Sequence, residues 1–436
     1  MSDPALTLHY EFARNKNLVA SRGLGPTLDF TRASTATFFD SAGVLRTAAS
    51  GVARFDHDPV TGSSLGLFVE EARTNLLLHS EDNGINWTTV RATAFQNIIA
   101  APDGAITANI LVENTGGGTH YQTQITPTHA SAAVVTISCY VKAASRSIVA
   151  LFEAGANQGL FFNLTDSTTA VFTNLPTNSS ITDVGNGWFR ISITVTSTGT
   201  TSDIRIFSST NMTTASHTGD GLAAFMIWGD KFEEGAFLTS YNPTTTVPVT
   251  RNADVVNTTD MTWFNPNAGT IFATIRQVSA ANQDEPIIDI GDGTNDNRFL
   301  FKRRNINDLR FTIRAGGVLS ANLTKVSVLA LDTPISVAMA YAVDDFESFV
   351  AGARTGTGNQ LGALPTGIDA LGIGSRAGED NPIFNGHISE VRYYNVRKDN
   401  QFLEDLSNGL ISEDDDLTFI RNLARPLERP LVKTMR

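Results

Sequence analysis

Asp56, His57 and Asp58 stand side by side in RFDHDPVTG, residues 54–62, and these residue types can hold a metal or polarise a base. Their spacing argues against both roles. On an extended strand neighbours alternate faces, so His57 points away from both aspartates. Asp58-Pro59 followed by Thr61-Gly62 is turn chemistry, in which an acidic side chain bonds nearby backbone, and the segment is read as a turn. Asp289, Asp292, Asp296 and Asn297 in IIDIGDGTNDNRF offer the oxygen ligands that calcium takes. No glutamate closes that loop at the EF-hand position, and a strand running into a Gly-Asp-Gly hairpin explains the same residues. The seven histidines, at 9, 57, 79, 120, 129, 217 and 387, form no pair at ligand spacing. Glu70-Glu71, Glu233-Glu234 and Asp344-Asp345 are adjacent acids that would face opposite ways on a strand. That disfavours them as the facing carboxylates of a glycosidase, which lie about 5–9 Å apart. Neither a nucleophile elbow, a zinc-protease motif nor a phosphate loop occurs. The expectation is a protein that is not an enzyme, with no catalytic residue, no metal and no cofactor.

Aromatic side chains supply the remaining binding chemistry, because pyranose C–H faces pack well on π surfaces. The candidates are Trp87, Tyr121, Trp188, Trp228 and Trp263. Trp188 in GNGWFRISIT and Trp228 in AAFMIWGDKFEEG sit inside strand alternation and are assigned to the core. Trp87 and Tyr121 lie among polar residues and are the predicted carbohydrate-binding pair.

The elements around these residues read as strands. Thr, Ser, Asn and Gly are abundant and Lys and Glu sparse, which favours strands and turns over helices. Residues 80–245 contain AVVTISCYVKA, SIVALFEA, GLFFNLT, GWFRISITVTS and SDIRIFSS, separated by turn clusters, and predict an antiparallel β-sandwich. Residues 246–256 read as a linker, and 257–398 repeat the pattern with GTIFATIRQVS, PIIDIGDG, RFLFKRR and LRFTIRAG, implying a second sandwich. Residues 1–79 hold short strand-like pieces broken by Gly, Pro and Asn, and read as an extended N-terminal arm with one hairpin around Asp40-Ser41-Ala42-Gly43. Residues 399–436 read as a tail: a short helix in DNQFLEDLSNGLIS, an acidic turn, and a basic, proline-broken end. The expected fold class is thus mainly β, two antiparallel jelly-roll sandwiches in tandem between an extended arm and a helical or irregular tail.

Bulk properties exclude several partners. A net charge of −12 lacks the basic character that gripping a phosphate backbone needs, and no apolar run approaches bilayer-spanning length. Neither a nucleic acid nor a membrane is expected as partner. The N-terminus lacks a signal-peptide layout, and the single Cys139 excludes an intrachain disulfide, so a buried free thiol and cytoplasmic synthesis are expected.

Several segments also resemble a known family. LDFTRASTATFFDSAGVLRTA, ARFDHDPVTGSSLGLFVEEARTNLLLHSED, GNGWFRISIT and MIWGDKFEEGAFLTSYNPTTTVPVTRNADVV, spread in order over residues 28–256, resemble tailed-bacteriophage virion proteins. These are fibres, spikes or appendages with a carbohydrate-binding-module-like jelly roll, the head spike fibre domain. Residues 257–398, ending in FNGHISEVRYYNV, resemble a concanavalin A-like or laminin-G-like sandwich, whose last strand often carries Gly-x-Ile-x-Glu-Val-Arg. The resemblance implies a virion structural protein, on head or tail, assembled in the host cytoplasm. Its implied partners are phage capsid or tail proteins, host surface polysaccharide and further copies of itself. It further implies that RFDHDPVTG is a framework motif.

Overall fold

The computed structural model describes residues 3–279, 283–356, 361–377 and 382–411. The alternating segments form antiparallel strands, and among the described residues these build two β-sandwiches and little helix. The protein is mainly β, as the sequence implies.

One sandwich lies within residues 88–234. Its six-stranded sheet runs Ala92–Ala100, Ile106–Glu113, Ala223–Glu234, Val134–Ala143, Trp188–Thr196, Asn178–Asp183. The facing sheet runs Thr169–Val171, Gln158–Asn163, Ile148–Glu153, Asp203–Ser209, Gly117–Ile125, Ser216–Thr218, with Thr88–Val90 also on Gly117–Ile125. Alternation in VVTISCYVKA turns Val135, Ile137, Cys139 and Val141 into one core with Leu151, Ile191 and Ile193. Burial pushes the Cys139 thiol well above its usual value, so it is an inert core residue. Trp188 and Trp228 are buried, as expected.

The segment expected to be an extended arm instead supplies strands to both sheets of the other sandwich. Leu6–Tyr10 pairs with Gly386–Tyr394, placing Leu8 opposite Tyr393, and Ser64–Val69 pairs with the same strand. Asp29–Thr31 pairs with Val255–Thr258. Leu8, Tyr10, Leu28 and Leu67 therefore share a core with Ile271, Ile288, Phe301 and Val391. The expected linker is also sheet, since Val249–Arg251 pairs with Arg73–Asn75. Hydrophobic period reports that a strand exists but not which strand it meets, and here the partners lie at opposite ends of the chain. The first sandwich is thus inserted into the second, with the outgoing and returning strands side by side: Asn75 faces Val249 and Arg73 faces Arg251.

The outer sandwich has one sheet built on Gly386–Tyr394, Ala268–Gln277, Ile335–Ala342 and Asp345–Val350. The other runs Val318–Lys325, Asp308–Ala315, Arg298–Arg304, Glu285–Gly291, Ala370–Ile373, Val255–Thr258, Asp29–Thr31. The short helix expected near residue 400 forms over Asn400–Ser407, where Asp399 caps it by accepting the Phe402 N–H at 2.8 Å. Leu403 and Leu406 bury against Phe272 and Ala338. The acidic turn and basic end of the tail, 412–436, lie outside the described residues.

Buried charges bind the return of the insert to the outer sandwich. Arg54 donates to Glu70 at 2.9 Å, to Asp254 at 2.5 Å and to the Ser240 hydroxyl at 3.0 Å. Arg32 reaches the second Asp254 oxygen at 2.9 Å, and Glu70 accepts the Ser240 N–H at 2.8 Å. Glu70 is fully desolvated, yet Arg251, Arg54 and the Ser240 donors hold its carboxyl well below the usual range.

Candidate functional site

The outer face of the seven-stranded sheet is where side-chain chemistry concentrates. Along Arg298–Arg304, Phe299 and Phe301 turn into the core, so Arg298, Leu300 and Lys302 face outward. Along Asp308–Ala315, Leu309, Phe311 and Ile313 are inward and Arg310, Thr312 and Arg314 outward. The register then sets Arg298 opposite Arg314 and Lys302 opposite Arg310. On the next strand Asn322 lies opposite Thr312 and Thr324 opposite Arg310. With Arg376 and Asn295 these residues line a shallow groove of about 370 Å³.

Like charges directly opposite on a sheet destabilise it, and here two such pairs flank the Leu300–Thr312 pair on one face. The protein offsets them only in part. Arg298 reaches Asp289 at 3.5 Å and Asn295 at 3.0 Å, and Lys302 pairs with Asp284. Arg314 spends one donor on the Gly317 carbonyl at 3.0 Å, and Arg310 donates to the Thr324 hydroxyl at 3.1 Å. Burial, and then the Arg304 charge, hold the Arg310 guanidinium below its usual value. Five cations face the groove against two carboxylates, in a chain whose net charge is −12. A groove of this kind attracts anions and presents planar guanidinium forks to carboxylate, sulfate or phosphate groups.

The residues singled out from the sequence lie elsewhere. Trp87 is only 8% exposed and packs with Leu77 and Leu111, which corrects its assignment to the surface. Its polar neighbours belong to a turn and an edge strand that flank a core side chain. Tyr121 is half-buried in a different cluster, 4.6 Å from the Phe207 ring and beneath the Arg205 guanidinium. The two aromatics therefore form no common stacking platform. Asp292 accepts the Thr294 N–H and the Asn297 amide, which is hairpin chemistry, while Asp289 is buried beside Arg298.

RFDHDPVTG divides its three polar residues. Asp58 accepts the Val60 and Thr61 N–H groups at 3.0 and 2.8 Å, as its turn reading requires. An irregularity in register between Asp56 and His57 lets both side chains reach Phe39: Asp56 accepts its N–H at 2.6 Å and His57 donates to its carbonyl at 3.1 Å. Asp56 also meets His387 at 2.9 Å, and all three line a cavity of about 260 Å³ between the sandwiches. The motif clamps the Ala36–Ala48 hairpin to the outer sheet. Among the described residues, metal-ligand types converge at Glu113, His120 and His217 of the insert.

Residues 250–400 match the concanavalin A-like lectin/glucanases superfamily. That span contains the seven-stranded sheet from Val255 onward, and with it the whole cationic groove of the lectin-like sandwich. No curated protein sequence matches the chain. Among solved structures, the CBM40 of Ruminococcus gnavus IT-sialidase bound to alpha2,3 sialyllactose is 20% identical, with a TM-score of 0.30, over 33% of this chain and 83% of that one. The leech intramolecular trans-sialidase is also 20% identical at a TM-score of 0.30, over 33% of this chain and 24% of its own. Domain 4 of the Geobacillus stearothermophilus arabinanase AbnA, in complex with arabinotriose, is 11% identical at 0.29, over 36% and 73%. The family match alone places a concanavalin A-like sandwich over residues 250–400.

Sequence reasoning passed over the groove residues. RFLFKRR and LRFTIRAG read as strands, and their cations become a site only once the two strands are set in register.

Proposed function

We propose that the protein binds acidic polysaccharide through the face formed by Lys302, Arg310, Arg314 and Arg376, with the buried Arg298 beneath them. One observation carries this reading: two like-charged pairs lie across adjacent strands, and the chain's own Asp284 and Asp289 offset their repulsion only in part, leaving a cationic face suited to an anion. Asn295, Thr312 and Asn322 add neutral hydrogen-bonding groups suited to sugar hydroxyls. The family match over the same residues supports a sugar as the ligand. The protein acts here as a binder and not as a hydrolase, since both carboxylates nearest the groove, Asp284 and Asp289, are engaged by cations. We further propose that it works as a virion appendage presenting this face to host surface polysaccharide in several copies. The resemblance of segments across 28–256 to phage spike and fibre proteins supports that setting.

The test compares binding of the full chain to polysaccharides of matched length bearing carboxylate or sulfate groups and to neutral ones. Acidic polymers are expected to bind, with affinity falling as salt rises. The double variant Arg310→Gln/Arg314→Gln is expected to lose that binding. Equal affinity for neutral polymer, or an unaffected double variant, overturns the proposal. New reducing ends after incubation would restore a hydrolase.

A further inference from the structure

Glu113, His120 and His217 meet at one end of the inserted sandwich, and the order of the chain hides this. Glu113 closes the strand Ile106–Glu113 of one sheet; His120 lies on Gly117–Ile125 and His217 on Ser216–Thr218 of the other. One ligand-capable atom from each lies within 4.8 Å of the other two. His217 Nε2 is 2.8 Å from Glu113 Oε1, and the two imidazole centroids are 4.7 Å apart.

Two polar groups here are left incompletely satisfied. His217 has an acceptor at each ring nitrogen, the Ala215 carbonyl at Nδ1 (3.2 Å) and Glu113 at Nε2 (2.8 Å). A neutral imidazole carries one donor, so one of these contacts needs a second ring proton or a cation. His120 is fully buried, and neither of its ring nitrogens makes a hydrogen bond of good geometry, the Gly116 backbone being a weak neighbour. Buried polar atoms in native proteins are almost always satisfied, so such a ring points to a missing ligand. Burial, the largest influence on His120, favours its neutral form, the one that can donate a lone pair. Burial raises the Glu113 carboxyl, but the bonds from Arg146, Ser208 and His217 outweigh it and keep the group ionised. Arg146 lies 2.8 Å from Glu113 and 3.1 Å from Asp220, so these three charges sum to −1 around two imidazoles. Residue 219 can carry no side chain, since a Cβ would stand 2.7 Å from His120 Nε2 and 1.9 Å from the Asn114 carbonyl oxygen.

We propose that Glu113, His120 and His217 bind one divalent transition-metal ion of the zinc class. Two imidazoles and a carboxylate suit zinc over calcium or magnesium, which prefer all-oxygen shells. Zinc holds such atoms at about 2.0–2.2 Å, so tetrahedral ligands lie about 3.3 Å apart; the widest pair closes inward, and the 2.8 Å His217–Glu113 contact opens as the ion displaces its proton. The Ala215 carbonyl bonded to Nδ1 fixes the tautomer that aims His217 Nε2 at the ion. Water takes the fourth position. The ion joins the two sheets at this end of the insert.

The full chain, stripped with chelator, is titrated with Zn²⁺ and separately with Co²⁺. One equivalent of zinc per chain is expected, together with the intense visible absorption of tetrahedral Co²⁺. His120→Asn and Glu113→Gln are each expected to weaken zinc by about a hundredfold, while His79→Asn leaves it unchanged. Should a variant fail to fold, imidazole ¹⁵N shifts of the wild-type protein decide instead: zinc is expected to move His120 and His217 alone among the seven histidines. Absence of stoichiometric binding, retention of affinity in both ligand variants, or shifts confined to other histidines overturns the proposal.

Discussion

Replacing Arg310 by glutamine separates a ligand-binding arginine from a structural one. A structural arginine in a half-buried site contributes through charged hydrogen bonds, and losing them costs about 1.5–3 kcal/mol. Arg310 instead makes one bond, to the neutral Thr324 hydroxyl, and stands opposite Lys302 with Arg304 nearby. Two unit charges at a generic cross-strand separation of about 6 Å repel by about 0.7 kcal/mol in water's dielectric, which Asp284 and Asp308 offset in part for Arg310. The bond to Thr324 has a charged donor, and at this half-buried position its loss costs about 1.5 kcal/mol; relief of part of the repulsion returns up to about 0.7 kcal/mol, so Arg310→Gln should cost about 1 kcal/mol. Salt gives the sign. Because the repulsion is screened over about 8–10 Å at moderate ionic strength, the variant should gain on the wild type as salt is lowered. Binding moves differently: loss of one guanidinium fork should weaken acidic polysaccharide about tenfold, or about 1.4 kcal/mol. Urea unfolding at low and high salt, beside calorimetry with an acidic polysaccharide, reads both. A variant destabilised by more than 1.5 kcal/mol with unchanged binding refutes the reasoning, because Arg310 would then be there for the fold.

Three further outcomes follow from other parts of the molecule. Arg54→Met leaves Glu70 and Asp254 with a buried cation missing and is expected to cost about 3–5 kcal/mol in urea unfolding; a loss under 1 kcal/mol would show that Arg32 and Arg251 suffice. The buried Asp230 carboxyl is pushed up to about 7 by burial, with the Asn83 bond pulling the other way, so the unfolded chain ionises first and stability falls as pH rises from about 4 to about 7. Asp230→Asn should remove that fall, whose ceiling is about 4 kcal/mol for three pKa units at 1.36 kcal/mol each; identical pH profiles would refute it. Because Asn75 and Val249 are cross-strand partners, joining them by a short turn in place of the insert should leave the outer sandwich folded and binding acidic polysaccharide, as thermal unfolding and calorimetry would show.

What was legible in the sequence is what local pattern encodes. Period-two alternation marked the strands, placed Cys139, Trp188 and Trp228 in the core, and read Asp58 as a turn residue. Three features escaped because they depend on register or on distant partners. Leu6–Tyr10 looks like a stray strand until Gly386–Tyr394 lies beside it. Trp87 sits among polar residues yet fills a core, since exposure belongs to the fold and not to neighbours in sequence. His120 and His217 are 97 residues apart, and only the pairing of Gly118 with His217 brings them together.

The cationic groove is where the sheet departs most clearly from local consistency. Phe299, Phe301, Phe311 and Ile313 are what a stable sheet would choose for its inner face. The outer positions between them carry cations at cross-strand neighbours, where opposite charges would have favoured the fold. Asp284 and Asp289 each cancel part of that repulsion, yet Arg310 and Arg314 keep their charge toward solvent. Selection for stability alone would remove such pairs, because a single arginine-to-glutamate change would turn a repulsion into an attraction. A basic face kept in so acidic a chain is the feature on which the proposed anionic ligand rests.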